Sequence, residues 1–236
     1  MSSPTLLAVA HGSRDPRFAK NAQRLVSQVR MLRPDLDVRL AFLELSEPNL
    51  VDVLAELSGA AVVVPLLLSD AYHARIDLPT ILSSAPSGLQ VTQAPVLGAD
   101  DRLLHLARLR VAELGIENPG VILTAVGSSD PTANARTRAL AAQWAISTTV
   151  FATGDSTSLG DAADSLRAHG ATKIVVAPWF LSPGLLLDQV RAEAADVDIA
   201  VAAPLGANRS VARVVLDRYQ STVRAYQDTS PLVPAT

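Results

Sequence analysis

The sequence predicts an α/β protein of two similar lobes, each a parallel sheet flanked by helices, with a cleft between them. Three observations support this fold class. Short aliphatic runs alternate with longer amphipathic segments, which is typical of βαβ units and hence of a parallel sheet. The aliphatic runs show no polar alternation, as expected of strands that are buried on both faces. The pattern also restarts near residue 121, about halfway along the 236-residue chain.

Four aliphatic runs in the first half are predicted to be strands. They are Leu6–Ala10, Val38–Phe42, Ala61–Leu67 and Leu89–Ala94. The helix after the first strand has a clear start signal, because Asp15 can cap a helix and Pro16 suits the first helical position. The predicted helices are Asp15–Leu32, Ser46–Leu57, a short one near Asp77, and Asp100–Leu114.

The second half of the chain repeats the first. Gly12, Ser13, Asp15 and Pro16 recur in the same order as Gly127, Ser128, Asp130 and Pro131. The run VVVPLLLS of the third strand returns as VVAPWFLS at residues 175–182. We therefore predict two lobes, 1–114 and 115–236, which meet at the linker Gly115–Gly120. The second lobe is the degenerate copy, and the functional site is expected on the first.

The composition is that of a soluble protein with an ample core. Hydrophobic residues make up 49% of the chain and charged residues 18%. A net charge of −3 gives no electrostatic reason to expect nucleic acid or an anionic membrane as a partner. No run approaches the ~18 apolar residues of a spanning helix, and the first apolar run is too short for a signal peptide, so we expect a cytoplasmic location. The lack of cysteine excludes disulfides and thiolate metal sites.

Three polar residues follow the ends of the first three predicted strands. They are His11, Glu44 and His73. In an open parallel sheet, ligands bind in the crevice beyond the carboxyl ends of the strands, so these side chains are expected over one crevice. Two imidazoles and a carboxylate suit Fe²⁺, Co²⁺, Ni²⁺ or Zn²⁺ better than Ca²⁺ or Mg²⁺. The same groups could also act as general bases.

The repeat favours a functional role for these three residues over a structural one. The second half carries Val126, Thr153 and Leu186 at the corresponding positions. Because that half is expected to fold without the polar trio, the scaffold does not require it. The other two histidines are expected to be ordinary, since His105 lies within a helix and His169 precedes a helix-ending glycine.

Several neighbouring residues have two interpretations each. The turn Gly12-Ser13-Arg14 could bind an anion through its backbone amides, although such turns are common in α/β proteins. Arg14 could bind a substrate carboxylate or lie free in solvent. Asp77 could orient the His73 ring through a hydrogen bond, or it could cap the helical turn that follows.

Three segments of the first half resemble the class II chelatases of the sirohydrochlorin type, which insert a divalent metal into a modified tetrapyrrole. They are AHGSRDPR at 10–17, FLELSEPNL at 42–50 and VPLLLSDAYHARIDLP at 64–79. The family pattern has His-Gly-Ser-Arg after a strand, Phe-Leu-Glu before Glu-Pro, and Pro-Leu-Phe-Leu before Gly-x-His-x-x-x-Asp-Ile-Pro. This chain departs from it at Asp70-Ala71-Tyr72 and at Leu78, none of which is a proposed ligand. The resemblance covers the whole chain as a two-lobe arrangement, although its motifs lie within 1–114.

The resemblance implies a lyase-class chelatase in which His11, His73 and Glu44 hold the metal or accept pyrrole protons. Sirohydrochlorin is rich in carboxylates, so the residues expected to contact it are Ser13, Arg14, Arg17, Tyr72 and Arg75. The metal is then a substrate, and no tightly bound cofactor is expected. Fe²⁺ for siroheme is the expected metal, because this chain lacks the histidine-rich tail and the cysteine cluster of some cobalt-handling members. The protein is expected to be a monomer or a weak homodimer.

Two alternatives stay open at the level of sequence. Insertion of Co²⁺ or Ni²⁺ for cobalamin-type biosynthesis would use the same ligands. A two-lobed protein that binds metal or tetrapyrrole without turnover would also place ligand contacts in a cleft between α/β lobes. Turnover with the purified macrocycle separates these alternatives.

Overall fold

The computed structural model describes residues 3–70, 72–154 and 157–229, apart from the side chains of His73 and Thr229. This part of the chain contains two separate four-stranded parallel sheets, which confirms the predicted fold class. The first sheet comprises β1 (Thr5–Ala10), β2 (Val38–Phe42), β3 (Gly59–Pro65) and β4 (Leu89–Gln93), in the order β2-β1-β3-β4. The second comprises β5 (Gly120–Ala125), β6 (Ser147–Phe151), β7 (Ile174–Pro178) and β8 (Ala200–Val201), in the order β6-β5-β7-β8.

Helices connect the strands in both halves. They are α1 (Pro16–Leu32), α2 (Leu50–Glu56), α3 (Leu78–Leu82), α4 (Asp101–Ala112), α5 (Pro131–Ala141), α6 (Leu159–Ala168), α7 (Leu185–Asp196) and α8 (Arg209–Thr229). A π-helical turn at His73–Asp77 precedes α3. Among the described residues, no helix combines the length and apolar character needed to cross a bilayer.

The cap of α1 was predicted correctly at Asp15, whereas that of α2 was predicted at Ser46, three residues before the observed cap Asn49. The Asp15 carboxylate accepts the Arg17 amide hydrogen at 2.9 Å, which fixes the first turn of α1. Before α2, the Glu47 carboxylate accepts the Asn49 amide hydrogen at 2.8 Å, and Asn49 in turn caps the helix through Val51. Residues 46–49 therefore form a turn, and the helix begins after Asn49.

The repeat seen in the sequence is present in the backbone. In each sheet the first strand pairs with the second and third strands, and the third strand ends in a proline. Asp15 and Asp130 each cap the helix that follows the first strand of their sheet. Gly12 and Gly127 both have positive φ values, 103° and 94°, before those caps. The two halves thus use the same turn between first strand and first helix.

The halves exchange packing helices. On α1, an apolar stripe faces inward, formed by Ala22, Leu25, Val26 and Val29. Helix α8, from the end of the chain, packs against α1 and β3 of the first half. Helix α4, from the first half, packs against β7 of the second. One hydrophobic core therefore includes residues of both sheets, and the division at residues 114/115 stays a prediction about folding units.

Candidate functional site

The carboxyl ends of β1 and β2 bring His11 and Glu44 together. The ladder between the strands continues past their ends, because the Glu44 amide donates to the His11 carbonyl oxygen at 3.0 Å. The side chains then meet, with His11 Nε2 3.4 Å from Glu44 Oε1. The imidazole is 26% exposed and the carboxylate 55%. The first strand ends therefore present an imidazole–carboxylate pair that an incoming ligand can reach.

Gly12 is what allows this close approach. Its φ is 103°, and a Cβ atom built there would lie 1.6 Å from the Glu44 carbonyl oxygen. Any other residue would have to displace the backbone of Glu44 away from that of His11. The glycine that the sequence shows after His11 is thus required by the geometry of the pair itself.

The backbone of the third predicted ligand, His73, follows β3, the third strand, as predicted. Its backbone starts the π-helical turn just beyond β3, and such turns are frequent at functional sites. The Gln93 side chain donates to the Ala74 carbonyl oxygen at 2.9 Å and so ties this turn to the end of β4. The His73 side chain is outside the described part of the structure. Among the described side chains, no group of three or more His, Asp or Glu is placed to hold a metal ion, so the three-ligand set stays a prediction.

Ser13 helps to build the turn after β1. Its amide donates to the Ser46 hydroxyl at 3.1 Å, and the Ser46 hydroxyl donates to the Ser13 carbonyl oxygen at 3.0 Å. The Ser13 hydroxyl accepts the Asp15 amide hydrogen at 3.1 Å. A backbone anion site at Gly12-Ser13-Arg14 would compete with these bonds, whereas Arg14 itself is exposed.

Arg75 and Tyr72, two predicted substrate contacts, both lie beyond the carboxyl end of β3. The Arg75 guanidinium donates to the Asp70 carboxylate at 2.9 and 3.1 Å, and these bonds raise the pKa of Arg75. Its Nη1 atom is 3.8 Å from Asp130 Oδ2 of the second half. Tyr72 is 58% exposed. Both side chains are therefore accessible to a ligand, and Arg75 faces the second half.

Two other residues have roles that the sequence left open or assigned differently. Asp77 makes no side-chain hydrogen bond to the start of α3, so the capping interpretation is wrong and the orienting role stays a prediction. Arg17 binds the carboxylates of Asp15 and Asp188, and it thereby joins the two halves. Hydrogen bonds from Arg17 lower the pKa of both aspartates. The repeated Asp15 and Asp130 were visible in the sequence, but the contacts of Arg17 with Asp188 and of Arg75 with Asp130 were not.

Large apolar side chains are exposed beyond the carboxyl ends of strands in both sheets. They are Leu45, Tyr72, Ile76, Val126 and Leu185. Val126 occupies in the second sheet the position of His11 in the first. The contacts of Arg17 with Asp188 and of Arg75 with Asp130 bring the carboxyl ends of the two sheets to a common cleft. Exposed apolar side chains lie on both of its sides, and the His11–Glu44 pair lies on the side of the first sheet.

Comparison with known proteins extends over both halves of the chain. The sequence model of the CbiX family matches residues 5–114 and again residues 120–222. The chain is 28% identical over 209 residues to a sirohydrochlorin cobaltochelatase of Priestia megaterium, covering 79% of this chain and 67% of that protein. It is 26% identical over 207 residues to a sirohydrochlorin ferrochelatase of the same organism, covering 80% and 77%.

A solved structure shows the same fold. The structure of SirB from Bacillus subtilis with Fe³⁺ superposes with a TM-score of 0.78 at 21% identity, covering 96% of this chain and 98% of SirB. Since the family model covers nearly the whole chain, the protein belongs to the CbiX family of class II sirohydrochlorin chelatases, as its N-terminal motifs implied.

Proposed function

We propose that this protein inserts Fe²⁺ into sirohydrochlorin, with His11, His73 and Glu44 holding the metal and accepting the pyrrole protons. The observation that carries the proposal is the His11–Glu44 pair, whose side chains meet at 3.4 Å over the carboxyl ends of β1 and β2. A relative named as a cobaltochelatase and one named as a ferrochelatase match almost equally well, and both names specify sirohydrochlorin. Co²⁺ is therefore the second candidate metal.

The surroundings of His11 suit a metal-binding imidazole. Its Nδ1 atom is 3.2 Å from the Gly12 carbonyl oxygen, a distance at which a protonated Nδ1 donates to that oxygen. Metal-binding histidines commonly donate one ring N–H to a backbone carbonyl and use the other nitrogen as the ligand. In that tautomer Nε2 and the Glu44 carboxylate both offer lone pairs to the same region of space. A cation or a proton arriving there is stabilised by both groups.

The exposure of the pair suits transfer rather than storage of a metal. Insertion of M²⁺ into the macrocycle releases two pyrrole protons, so the site needs bases as well as ligands. The Glu44 carboxylate is more than half exposed, and it can pass an accepted proton to solvent. A closed tetrahedral cage of protein ligands would retain the metal, whereas few ligands and an open side allow it to leave.

The rest of the cleft suits a large, flat, carboxylate-rich macrocycle. Tyr72, Val126 and Leu185 offer apolar surface for the ring, and Arg14 and Arg75 offer cations for its carboxylates. In the segment that follows β7, Leu185 supplies this surface, whereas Trp179 is 4% exposed and belongs to the core.

An absorbance assay tests the proposal. Purified protein is mixed with sirohydrochlorin and with Fe²⁺, Co²⁺ or Ni²⁺ in separate reactions, and the spectrum of the metallated product is followed against a protein-free control. We expect catalysed insertion, with the highest kcat/KM for Fe²⁺. A higher kcat/KM for Co²⁺ would show that Co²⁺ is the preferred metal substrate. Tight binding of the macrocycle without faster insertion of any of the three metals would instead support the non-catalytic alternative.

A further inference from the structure

Two charged bridges cross the cleft, and the sequence repeat relates one to the other. Asp15 and Asp130 are equivalent, since each caps the first helix of its half. Arg75 and Asp188 are also equivalent, each following the third strand of its sheet. In one bridge Arg75 faces Asp130, and in the other Asp188 binds Arg17, which also binds Asp15. On each side of the cleft, the halves are thus connected between the cap of a first helix and a residue that follows a third strand.

The bridge at Arg17 is the firmer of the two. The guanidinium contacts both carboxylate oxygens of Asp188, one of them at 3.3 Å from Nη1. Next to it, the Asn21 side chain donates to the Leu181 carbonyl oxygen at 2.9 Å and to the Ser182 hydroxyl at 2.8 Å. These bonds all join α1 of the first half to the segment after β7 of the second. Opening the cleft on this side would break several hydrogen bonds at once.

The bridge at Arg75 is loose. Its closest approach to Asp130 is 3.8 Å, which is too long for a hydrogen bond. The other nitrogens of Arg75 bind Asp70, which belongs to the same half. Asp130 keeps its own bond from the Thr132 amide at 2.8 Å, and that bond is the main reason that the pKa of Asp130 is lowered. Separation of Arg75 from Asp130 therefore leaves neither group without a partner.

The surface around the loose bridge matches a planar anionic ligand. Tyr72, just before the π-helical turn, and Ile76, next to Arg75 within it, are both more than half exposed. A guanidinium binds carboxylates through paired N–H donors, and a carboxylate of the ligand can make shorter bonds than the 3.8 Å contact with Asp130. Apolar surface and an exchangeable cation occur together on this side of the cleft.

We propose that the macrocycle enters and leaves the cleft past Arg75 and Asp130, and that one of its carboxylates replaces Asp130 beside Arg75. The side at Arg17 and Asp188 acts as the fixed edge. This inference rests on the proposed function only in taking a carboxylate-rich macrocycle as the ligand. It adds the direction of entry and identifies Asp130 as the residue that competes with the substrate.

Cysteine cross-linking tests the direction of entry, because the chain has no cysteine of its own. Arg75→Cys/Asp130→Cys is oxidised with diamide, or bridged with a short bis-maleimide, and the cross-link is verified by mass. Insertion rates are compared for the same protein before and after cross-linking. We expect the cross-link to abolish most turnover and diamide-treated protein to regain its initial rate on reduction.

The opposite side of the cleft supplies the matched control. Cross-linked Arg17→Cys/Asp188→Cys should have the same rate as its reduced form. Equal rates for cross-linked and reduced Arg75→Cys/Asp130→Cys would overturn the proposal, as would failure of both reagents to join that pair. Wild-type protein in the same assay reports separately on the proposed function, since absence of turnover there concerns the chemistry and not the entrance.

A second variant tests the competition at Arg75. Asp130→Asn keeps a good helix cap but removes the carboxylate that competes with substrate. We expect the KM for sirohydrochlorin to fall about two- to five-fold, the effect of losing an exposed ion pair, with kcat unchanged. A raised KM would show that Asp130 assists binding, and it would contradict the exchange.

Discussion

At the scale of single residues, the site depends on how closely two strand ends approach each other. His11 and Glu44 are neighbours because their backbones continue the sheet ladder, and Gly12 leaves room for that ladder. Val126 shows that the same backbone position accepts an apolar side chain in the second half. The chemistry is therefore added to a scaffold that does not depend on it.

The first prediction concerns the histidines. Replacement of His11 or His73 by Ala should lower kcat/KM for insertion by about 10²–10⁴-fold, the usual contribution of a group that transfers protons. The double variant should lose little more, because groups that act as a unit are not additive. Initial rates from the absorbance assay provide the measurement, and urea unfolding should show nearly unchanged stability.

His105→Ala is the control for these variants. His105 is exposed on α4, so its replacement should leave the rate close to that of the wild type. Near-normal insertion by both His11→Ala and His73→Ala would place the chemistry elsewhere in the cleft.

The second prediction concerns Gly12. Ala at this position needs a φ of 103° and brings a Cβ within 1.6 Å of the Glu44 carbonyl oxygen, so the Glu44 backbone must move. Gly59 is the matched control, because its φ is 78° and no atom lies within 4 Å of a Cβ there. Gly59→Ala should cost about 1–2 kcal/mol of unfolding free energy from backbone strain. Gly12→Ala should cost about 1–3 kcal/mol more because of overpacking, and it should also lose activity. Equal stability and activity of the two variants would mean that the turn at Gly12 accommodates a Cβ atom without displacing Glu44.

At the scale of elements, the N-terminal ends of α1 and α7 also form a contact between the two halves. The carboxylate that caps α1 also holds Arg17, and Arg17 holds Asp188 in the first turn of α7. A capping group thereby becomes part of a contact between the halves. This arrangement links the start of α1 to the position of α7 and so affects the width of the cleft.

The third prediction is a pH dependence of stability at this contact. The hydrogen bonds from Arg17 lower the pKa of Asp188 below its value in the unfolded chain, about 3.9. The ionised form thus stabilises the fold above pH ~4, and this stabilisation is lost as the pH falls through the lower, folded-state pKa. Wild type should exceed Asp188→Asn in unfolding free energy at pH 7, and the difference should decrease as the pH falls below the unfolded-state pKa of about 3.9, as measured by urea unfolding.

Asp164→Asn is the comparison for this effect. Asp164 pairs with Arg167 on the surface of α6, within a single helix, and its side chain is 76% exposed. Its replacement should change stability less than that of Asp188 does at pH 7. A difference between wild type and Asp188→Asn that stays constant from pH 7 to pH 2 would show that the charge of Asp188 is not responsible.

At the scale of the whole molecule, the halves are interlocked by the exchange of α4 and α8. Helix α8 covers part of the first sheet and of α1, and α4 covers part of β7.

The fourth prediction follows from this packing. Neither 1–114 nor 115–236 should fold as a monomer by itself, because each would expose the apolar face that the other half covers. Circular dichroism and urea unfolding of each half measure this directly.

A protein cleaved between the two halves is the control for the isolated halves. A protease site inserted at Glu117, which is exposed between α4 and β5, leaves every packing contact in place. The cleaved protein should remain folded as a two-chain complex. Cooperative unfolding of isolated 1–114 as a monomer would show that the predicted boundary also separates independent domains.

Local patterns in the sequence were sufficient for the strands and most helix boundaries of the first half, and for the repeat. Buried parallel strands and capped helices are dictated by residues that are close in the chain, as at Asp15-Pro16. The early start predicted for α2 is the exception, because Glu47 bonds to the Asn49 backbone instead of to a helix. His11 and Glu44 could be placed over one crevice from sequence, since strand ends in a parallel sheet share an edge.

The tertiary structure alone decided what meets across the cleft. The partnership of Arg17 with Asp188, the approach of Arg75 to Asp130 and the exchange of α4 and α8 join residues far apart in the chain. No local propensity encodes such contacts, because they depend on how two finished sheets are placed relative to each other. The sequence by itself thus determined the family, the two sheets and the candidate ligands, while packing between the halves determined how the cleft is held together.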